Sequence, residues 1–124
     1  MIEDNNEKVL ILDFGSQYAQ LIARRVRENN VFSEIVSHKI TTEQIQKIKP
    51  MGIILSGGPA SVYVKNAPRC NEDIVSLGIP ILGICYGMQL GCQMLGATVQ
   101  PTTTREYGRT ICKVNGKSKL LKSL

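Results

Sequence analysis

The segment Pro80-Ile81-Leu82-Gly83-Ile84-Cys85-Tyr86-Gly87-Met88-Gln89 constrains this chain more than any other. A short apolar run feeds a cysteine with glycine two residues to either side, and a helical pattern follows at once. A strand that turns straight into a helix brings the two backbones together at close range. Glycines at 83 and 87 remove the Cβ atoms that would collide there. The residue at such a bend is exposed, and the helix aims its N-terminal dipole at it, which favours a thiolate. Cys85 is therefore the candidate nucleophile. The same pattern also suits a core cysteine ahead of a tight turn, so the surroundings must separate the two.

Strands and helices alternate along the rest of the chain. Val9-Leu10-Ile11-Leu12-Asp13-Phe14 is a near-continuous apolar run, the mark of a strand buried on both faces. After Gly15-Ser16-Gln17 a helix begins, with Tyr18, Leu21, Ile22 and Val26 at helical spacing and Arg24, Arg27 and Glu28 on the outer face. Asn29-Asn30 stops it. Residues 33–37 read as a second strand at a sheet edge. A short helix then carries Ile45 and Ile48, with Thr42 as its N-cap and Pro50 beyond its end. Residues 52–56 make a third strand opening into Gly57-Gly58-Pro59. A helical segment over 71–77 closes at Gly78, and residues 79–84 form the fourth strand. The helix after Cys85 carries Met88, Cys92 and Leu95 on one stripe and is capped by Gly96. Residues 98–100 and 110–114 read as short strands.

Connections longer than ten residues between such strands predict a doubly wound, mostly parallel α/β sheet of the flavodoxin-like kind. In sheets of that kind chemistry gathers beyond the carboxyl ends of the strands. Gly15-Ser16-Gln17, Gly57-Gly58-Pro59 and Cys85-Tyr86 all fall on that one edge. A cysteine attacking an acyl carbon creates an oxyanion that needs backbone N–H donors. The elbow offers the amide of Tyr86, and the neighbouring loop offers that of Gly58. The glycines also suit a plain turn after a strand. A phosphate loop is excluded, because no Lys-Ser or Lys-Thr follows at the required spacing.

Composition closes off other classes. The 124 residues suffice for one domain with its own core, and 43% of them are hydrophobic. Apolar stretches are strand-length and broken by Gly, Pro or charge, so no membrane-spanning helix is expected. The acidic, polar first residues are unlike a signal peptide. Cys70, Cys85, Cys92 and Cys112 lack metal-ligand spacing, which predicts reduced thiols in the cytoplasm and no metal. The net charge of +5 comes from scattered basic residues, and no aromatic interleaves with a basic run. Solvated helix faces explain it, and a nucleic-acid partner is not expected.

Four blocks carry a resemblance: Leu12-Asp13-Phe14-Gly15-Ser16-Gln17-Tyr18, Leu55-Ser56-Gly57-Gly58-Pro59, Gly83-Ile84-Cys85-Tyr86-Gly87-Met88-Gln89 and Arg105-Glu106-Tyr107-Gly108-Arg109. Together they resemble the N-terminal class I glutamine amidotransferase domain of the GMP synthases, from Val9 onward. The first and last blocks select that family among its relatives. The resemblance implies that Cys85 forms a γ-glutamyl thioester, that Gly58 and Tyr86 give oxyanion-hole amides, and that Gln89 helps bind glutamine. It further implies an ATP-pyrophosphatase domain that uses ATP and Mg2+ to adenylylate XMP and aminate it to GMP, in a homodimeric full-length enzyme. No cofactor is expected within this segment.

One departure stands beside the match. The family completes its triad with a His-x-Glu pair downstream of the nucleophile, yet the only histidine here is His38. Residues 1–124 are thus expected to be an incomplete amidotransferase domain, inactive alone. In a 2-1-3-4 strand order His38 lies three strand spacings, about 14 Å, from the fourth strand. A general base must reach to about 3 Å, so a surface position is expected for His38. Two other readings stay open: a non-catalytic amidotransferase-like binding module, and a PfpI-like cysteine enzyme with an acidic partner close to its thiol.

Overall fold

In the computed structural model, which describes residues 7–15, 17–58, 65–100 and 119–120, four parallel strands form one sheet. They are β1 (Lys8–Asp13), β2 (Phe32–Ser37), β3 (Gly52–Leu55) and β4 (Ile81–Gly83), in the order β2-β1-β3-β4. All three pairings are parallel, with Leu12 opposite both Val36 and Leu55, and Leu55 opposite Gly83. The doubly wound α/β expectation and the strand order both hold.

The apolar run of β1 is buried on both faces as its sequence requires, with Leu10, Ile11 and Leu12 all fully covered. Alternate residues face opposite ways in a strand, and the core divides accordingly. Leu10, Leu12, Ile53 and Leu55 pack with Ile45, Ile74, Tyr86 and Leu90 on one face. Ile11, Ile35 and Ile54 pack with Ala19 and Ala23 on the other. Helix α1 (Tyr18–Glu28) covers the second face; α2 (Thr42–Ile48), a 3-10 turn (Glu72–Ser76) and α3 (Tyr86–Met94) gather on the first.

The inward faces of both long helices differ in part from the apolar stripes read in the sequence, although Ile22 of α1 does pack inward beside Ala19 and Ala23. Helix α1 seats on Ala19 and Ala23, while Tyr18 and Leu21 are exposed and Ile22 and Val26 are half-buried. Small residues let a helix approach a sheet closely, so the alanines, not the largest apolar side chains, mark the contact. Helix α3 likewise buries Tyr86, Gly87 and Leu90 and leaves Met88, Cys92 and Leu95 exposed.

Other differences concern boundaries. The N-cap of α2 is Thr41, not Thr42: its hydroxyl accepts from the Gln44 amide at 3.1 Å, and the Gln44 side chain accepts from the Thr41 amide at 3.0 Å. Three residues beyond Thr42 stands Ile45, which cannot return that bond. The segment before Gly78 is a 3-10 turn, and β4 shrinks to three residues. Residues 98–100 form no strand. The expected strand at 110–114, the 105–109 block, Ser16 and Pro59 lie outside the described residues.

Candidate active site

The parallel register sends the carboxyl ends of β1, β3 and β4 to one edge, and three connecting segments leave from there. After β1, the Asp13 carboxylate accepts from the Gly15 amide at 2.8 Å, with Gly15 at φ 97°. After β3 come Ser56, Gly57 and Gly58. After β4 comes Cys85.

Cys85 stands at the N-cap of α3 with φ 51° and ψ −112°. A non-glycine residue there costs on the order of 1–3 kcal/mol, and such strain gathers at functional sites. The surrounding bonds impose it. The Ile84 amide donates to the Leu55 carbonyl at 3.0 Å, and the Gly87 amide donates to Ile84 at 2.9 Å. The Met88 and Gln89 amides both donate to the Cys85 carbonyl, at 3.0 and 3.1 Å. A Cβ on Gly83 would lie 2.7 Å from the Met88 Cα, and one on Gly87 only 2.1 Å from the Leu55 carbonyl oxygen. Both elbow glycines are therefore required by backbone contact, as the spacing predicts.

The thiol of Cys85 is exposed at this bend, beside the start of α3. Tyr86 is the first helical residue, so its amide has no acceptor within the helix. Gly57 faces the cysteine, since a Cβ there would sit 3.7 Å from the Cys85 Cβ and 3.8 Å from the exposed Tyr18 ring. Gly58 presses on Phe14, the residue after β1, where a Cβ would meet its carbonyl oxygen at 2.7 Å. Gln89 lies one turn into α3 and is half-buried. The other described thiols differ in setting. Cys92 is exposed within the helix, whereas Cys70 is buried against Met94, and burial pushes its thiol up to about 11.

Aromatic packing braces the edge from below. The Tyr86 ring, 2% exposed, tilts against Phe14 at 5.4 Å, and its hydroxyl donates to the Pro68 carbonyl. Burial raises the phenol above its ordinary value. His38 also stacks on Phe14, at 5.5 Å, and pairs its Nδ1 with the Arg69 carbonyl at 2.8 Å. It follows β2, with β1 and β3 between it and β4, and its ring is part of this brace.

Sequence reasoning passed over Ser56. Its side chain is fully buried, accepting from the Phe14 amide at 3.2 Å and donating to the Gly57 carbonyl at 3.0 Å. A serine closing the apolar run Gly52-Ile53-Ile54-Leu55, directly before two glycines, was the available signal. Among the described residues no group of histidine, cysteine and acidic side chains is arranged to hold a metal ion, and no helix is long and apolar enough to cross a membrane.

Comparison with known proteins adds the family. The family model "Glutamine amidotransferase class-I" matches residues 10–124. A GMP synthase (glutamine-hydrolysing) from Caldanaerobacter subterraneus subsp. tengcongensis is 58% identical over 118 residues, covering 95% of this chain and 23% of that protein. One from Prochlorococcus marinus strain AS9601 is 59% identical over 120 residues, covering 96% and 23%. The chain thus spans about a quarter of the length of these relatives. Among solved structures, a GMP synthase subunit from Thermoplasma acidophilum superposes with a TM-score of 0.67 at 26% identity, covering 86% of this chain and 53% of that one. The parallel sheet, the strained cysteine at its carboxyl edge and the match over residues 10–124 place this chain in the class I glutamine amidotransferase family.

Proposed function

We propose that this chain is the glutamine-hydrolysing part of a GMP synthase, with Cys85 as its nucleophile. The strained, exposed cysteine between a strand end and a helix N-terminus carries the reading. The thiolate attacks the side-chain amide carbon of glutamine, and the carbonyl electron pair moves onto oxygen. The amides of Gly58 and Tyr86 receive that oxyanion, while Gln89 helps hold the substrate. Collapse of the adduct expels ammonia and leaves a γ-glutamyl thioester, which water hydrolyses to glutamate. The ammonia serves an ATP-pyrophosphatase domain of the same enzyme, where ATP and Mg2+ activate XMP for amination to GMP. A homodimeric enzyme working in the cytoplasm fits this reading, since the thiol stays reduced there.

Proton transfer needs a base for the thiol and the water and an acid for departing ammonia. His38 does not supply it, and no other histidine stands in residues 1–124. The 124-residue chain alone is thus expected to show no steady-state glutaminase activity. A longer form carrying the family's His-x-Glu pair is expected to release glutamate and ammonia. In that form Cys85→Ala should abolish release, by several orders of magnitude. Turnover that survives Cys85→Ala, or turnover by the short chain that is lost on changing His38, would refute the assignment.

A further inference from the structure

Resting on the proposed role of Gly58, we infer that Ser56 is a positioning residue for the oxyanion hole, its hydroxyl fixing the rotation of the Gly57–Gly58 peptide so that the Gly58 N–H faces Cys85. In a trans peptide the carbonyl and the N–H point in opposite directions. The carbonyl of this peptide belongs to Gly57 and is held at 3.0 Å by the Ser56 hydroxyl. The hydroxyl oxygen is in turn anchored on the β1 side by the Phe14 amide at 3.2 Å. The N–H is therefore turned away from β1. The strand on the other side of β3 is β4, which leads into Cys85, and Gly57 already lies against the Cys85 Cβ.

A latch is needed because this peptide joins two glycines. Without Cβ atoms on either side, rotation of the unit meets little steric resistance. A half-turn would present the Gly57 carbonyl where the N–H had been, replacing an attraction for the oxyanion by a repulsion. Water cannot substitute for the hydroxyl, because Ser56 is fully buried. Ser56 thus couples the end of β1 to the orientation of one amide dipole, and it does so without touching the substrate.

Two reagents acting on the full 124-residue chain separate this role from general packing. A chloromethyl ketone with the carbon skeleton of glutamine places its ketone oxygen in the oxyanion position as the thiolate adds. The carbonyl then re-forms as sulfur passes from the ketone carbon to the adjacent methylene carbon, and chloride departs. Iodoacetamide alkylates the same thiol by direct displacement of iodide, with no oxyanion. Loss of a preorganised donor costs a hundredfold to a thousandfold, so misdirecting one of two is expected to slow ketone labelling of Ser56→Ala by about tenfold to a hundredfold. The iodoacetamide rate should stay within about twofold, and Ser56→Thr, which keeps the hydroxyl, should recover most of the ketone rate. If the alanine variant does not fold, Ser56→Cys keeps the size with a weaker donor, and its ketone rate should fall below wild type at an unchanged iodoacetamide rate. Equal losses with both reagents, or no loss with the ketone, would overturn the positioning role while leaving the glutamine site standing. Failure of the glutamine-shaped ketone to label wild-type Cys85 faster than chloroacetone would remove that site and this inference with it.

Discussion

Adding one methyl group at two glycines of the same helix should change stability in opposite directions. Gly87 and Gly91 lie one turn apart on α3, on the side facing β3. At Gly87 an added Cβ would lie 2.1 Å from the Leu55 carbonyl oxygen, 2.5 Å from its carbon and 2.6 Å from the Leu55 Cβ. An ordinary carbon–oxygen contact is about 3.3 Å or more, so the helix must rise off the strand by more than 1 Å. Two of the three obstructing atoms are backbone, so no rotamer change relieves the clash. The same carbonyl accepts the Ile84 amide at 3.0 Å, and its displacement weakens the bond that fixes the elbow. Overpacking costs roughly 1–3 kcal/mol and a lost backbone hydrogen bond about 1 kcal/mol. The helix propensity of alanine returns up to about 1 kcal/mol. Gly87→Ala should therefore destabilise by about 1–3 kcal/mol. At Gly91 the nearest atom is the Leu55 Cδ1 at 3.8 Å, an ordinary contact. Gly91→Ala should keep the propensity gain of about 0.5–1 kcal/mol.

For a chain of this size a kilocalorie corresponds to about 3–5 °C in Tm. Thermal unfolding followed by far-UV circular dichroism should show Gly87→Ala lower by about 3–15 °C and Gly91→Ala higher by about 2–5 °C. Urea unfolding with unchanged m-values would confirm that the effect is on stability and not on the unfolded chain. Equal shifts of the same sign would refute the close seating of α3 on β3, and with it the structural reason for glycine after the cysteine.

The remaining predictions concern the thiols. Alkylation under native conditions at neutral pH, mapped by peptide, should modify Cys85 first and Cys70 last among the three described thiols, because Cys70 is buried and its thiol is pushed up to about 11; faster labelling of Cys70 would contradict the elbow. The raised Cys70 value also sets a pH dependence. Between the ordinary value of 9.0 and about 11 the unfolded chain releases this proton while the folded chain keeps it, so stability falls as pH rises through that window. Urea midpoints measured from pH 8 to 11 should fall less steeply in Cys70→Ala, and an unchanged slope would show that the thiol does not carry the effect.

How much of this was legible in the sequence depends on whether a residue acts through its own pattern or through contact. The parallel sheet followed from alternation and crossover length, and the usual 2-1-3-4 order of such sheets put the candidate turns on one edge. The elbow was legible because glycine at fixed spacing reports a backbone approach, and the 2.1 Å and 2.7 Å contacts at Gly87 and Gly83 are that approach. The inward faces of α1 and α3 depart in part from the apolar stripes, Ile22 excepted, for a related reason. Periodicity weighs each apolar side chain by its size, so Tyr18, Leu21, Met88 and Leu95 outweighed Ala19, Ala23, Gly87 and Gly91 in the pattern. Packing inverts that weighting wherever a helix crosses a sheet closely, because the smallest residues must then face the strand.

Ser56 escaped for a different reason. A hydroxyl at a strand end reads as a turn former, and its partners are backbone groups 42 and 1 residues away in sequence. Backbone groups leave no trace in side-chain patterning, so no spacing rule reports them. The same holds for the brace of Phe14, His38, Tyr86 and Pro68, which joins separate segments through stacking and a carbonyl. What a sequence shows directly is the candidate nucleophile and the glycines that admit it. The groups that orient the amides around it become visible once the strands stand side by side, and Ser56 does so by linking the end of β1 to the peptide beside Cys85.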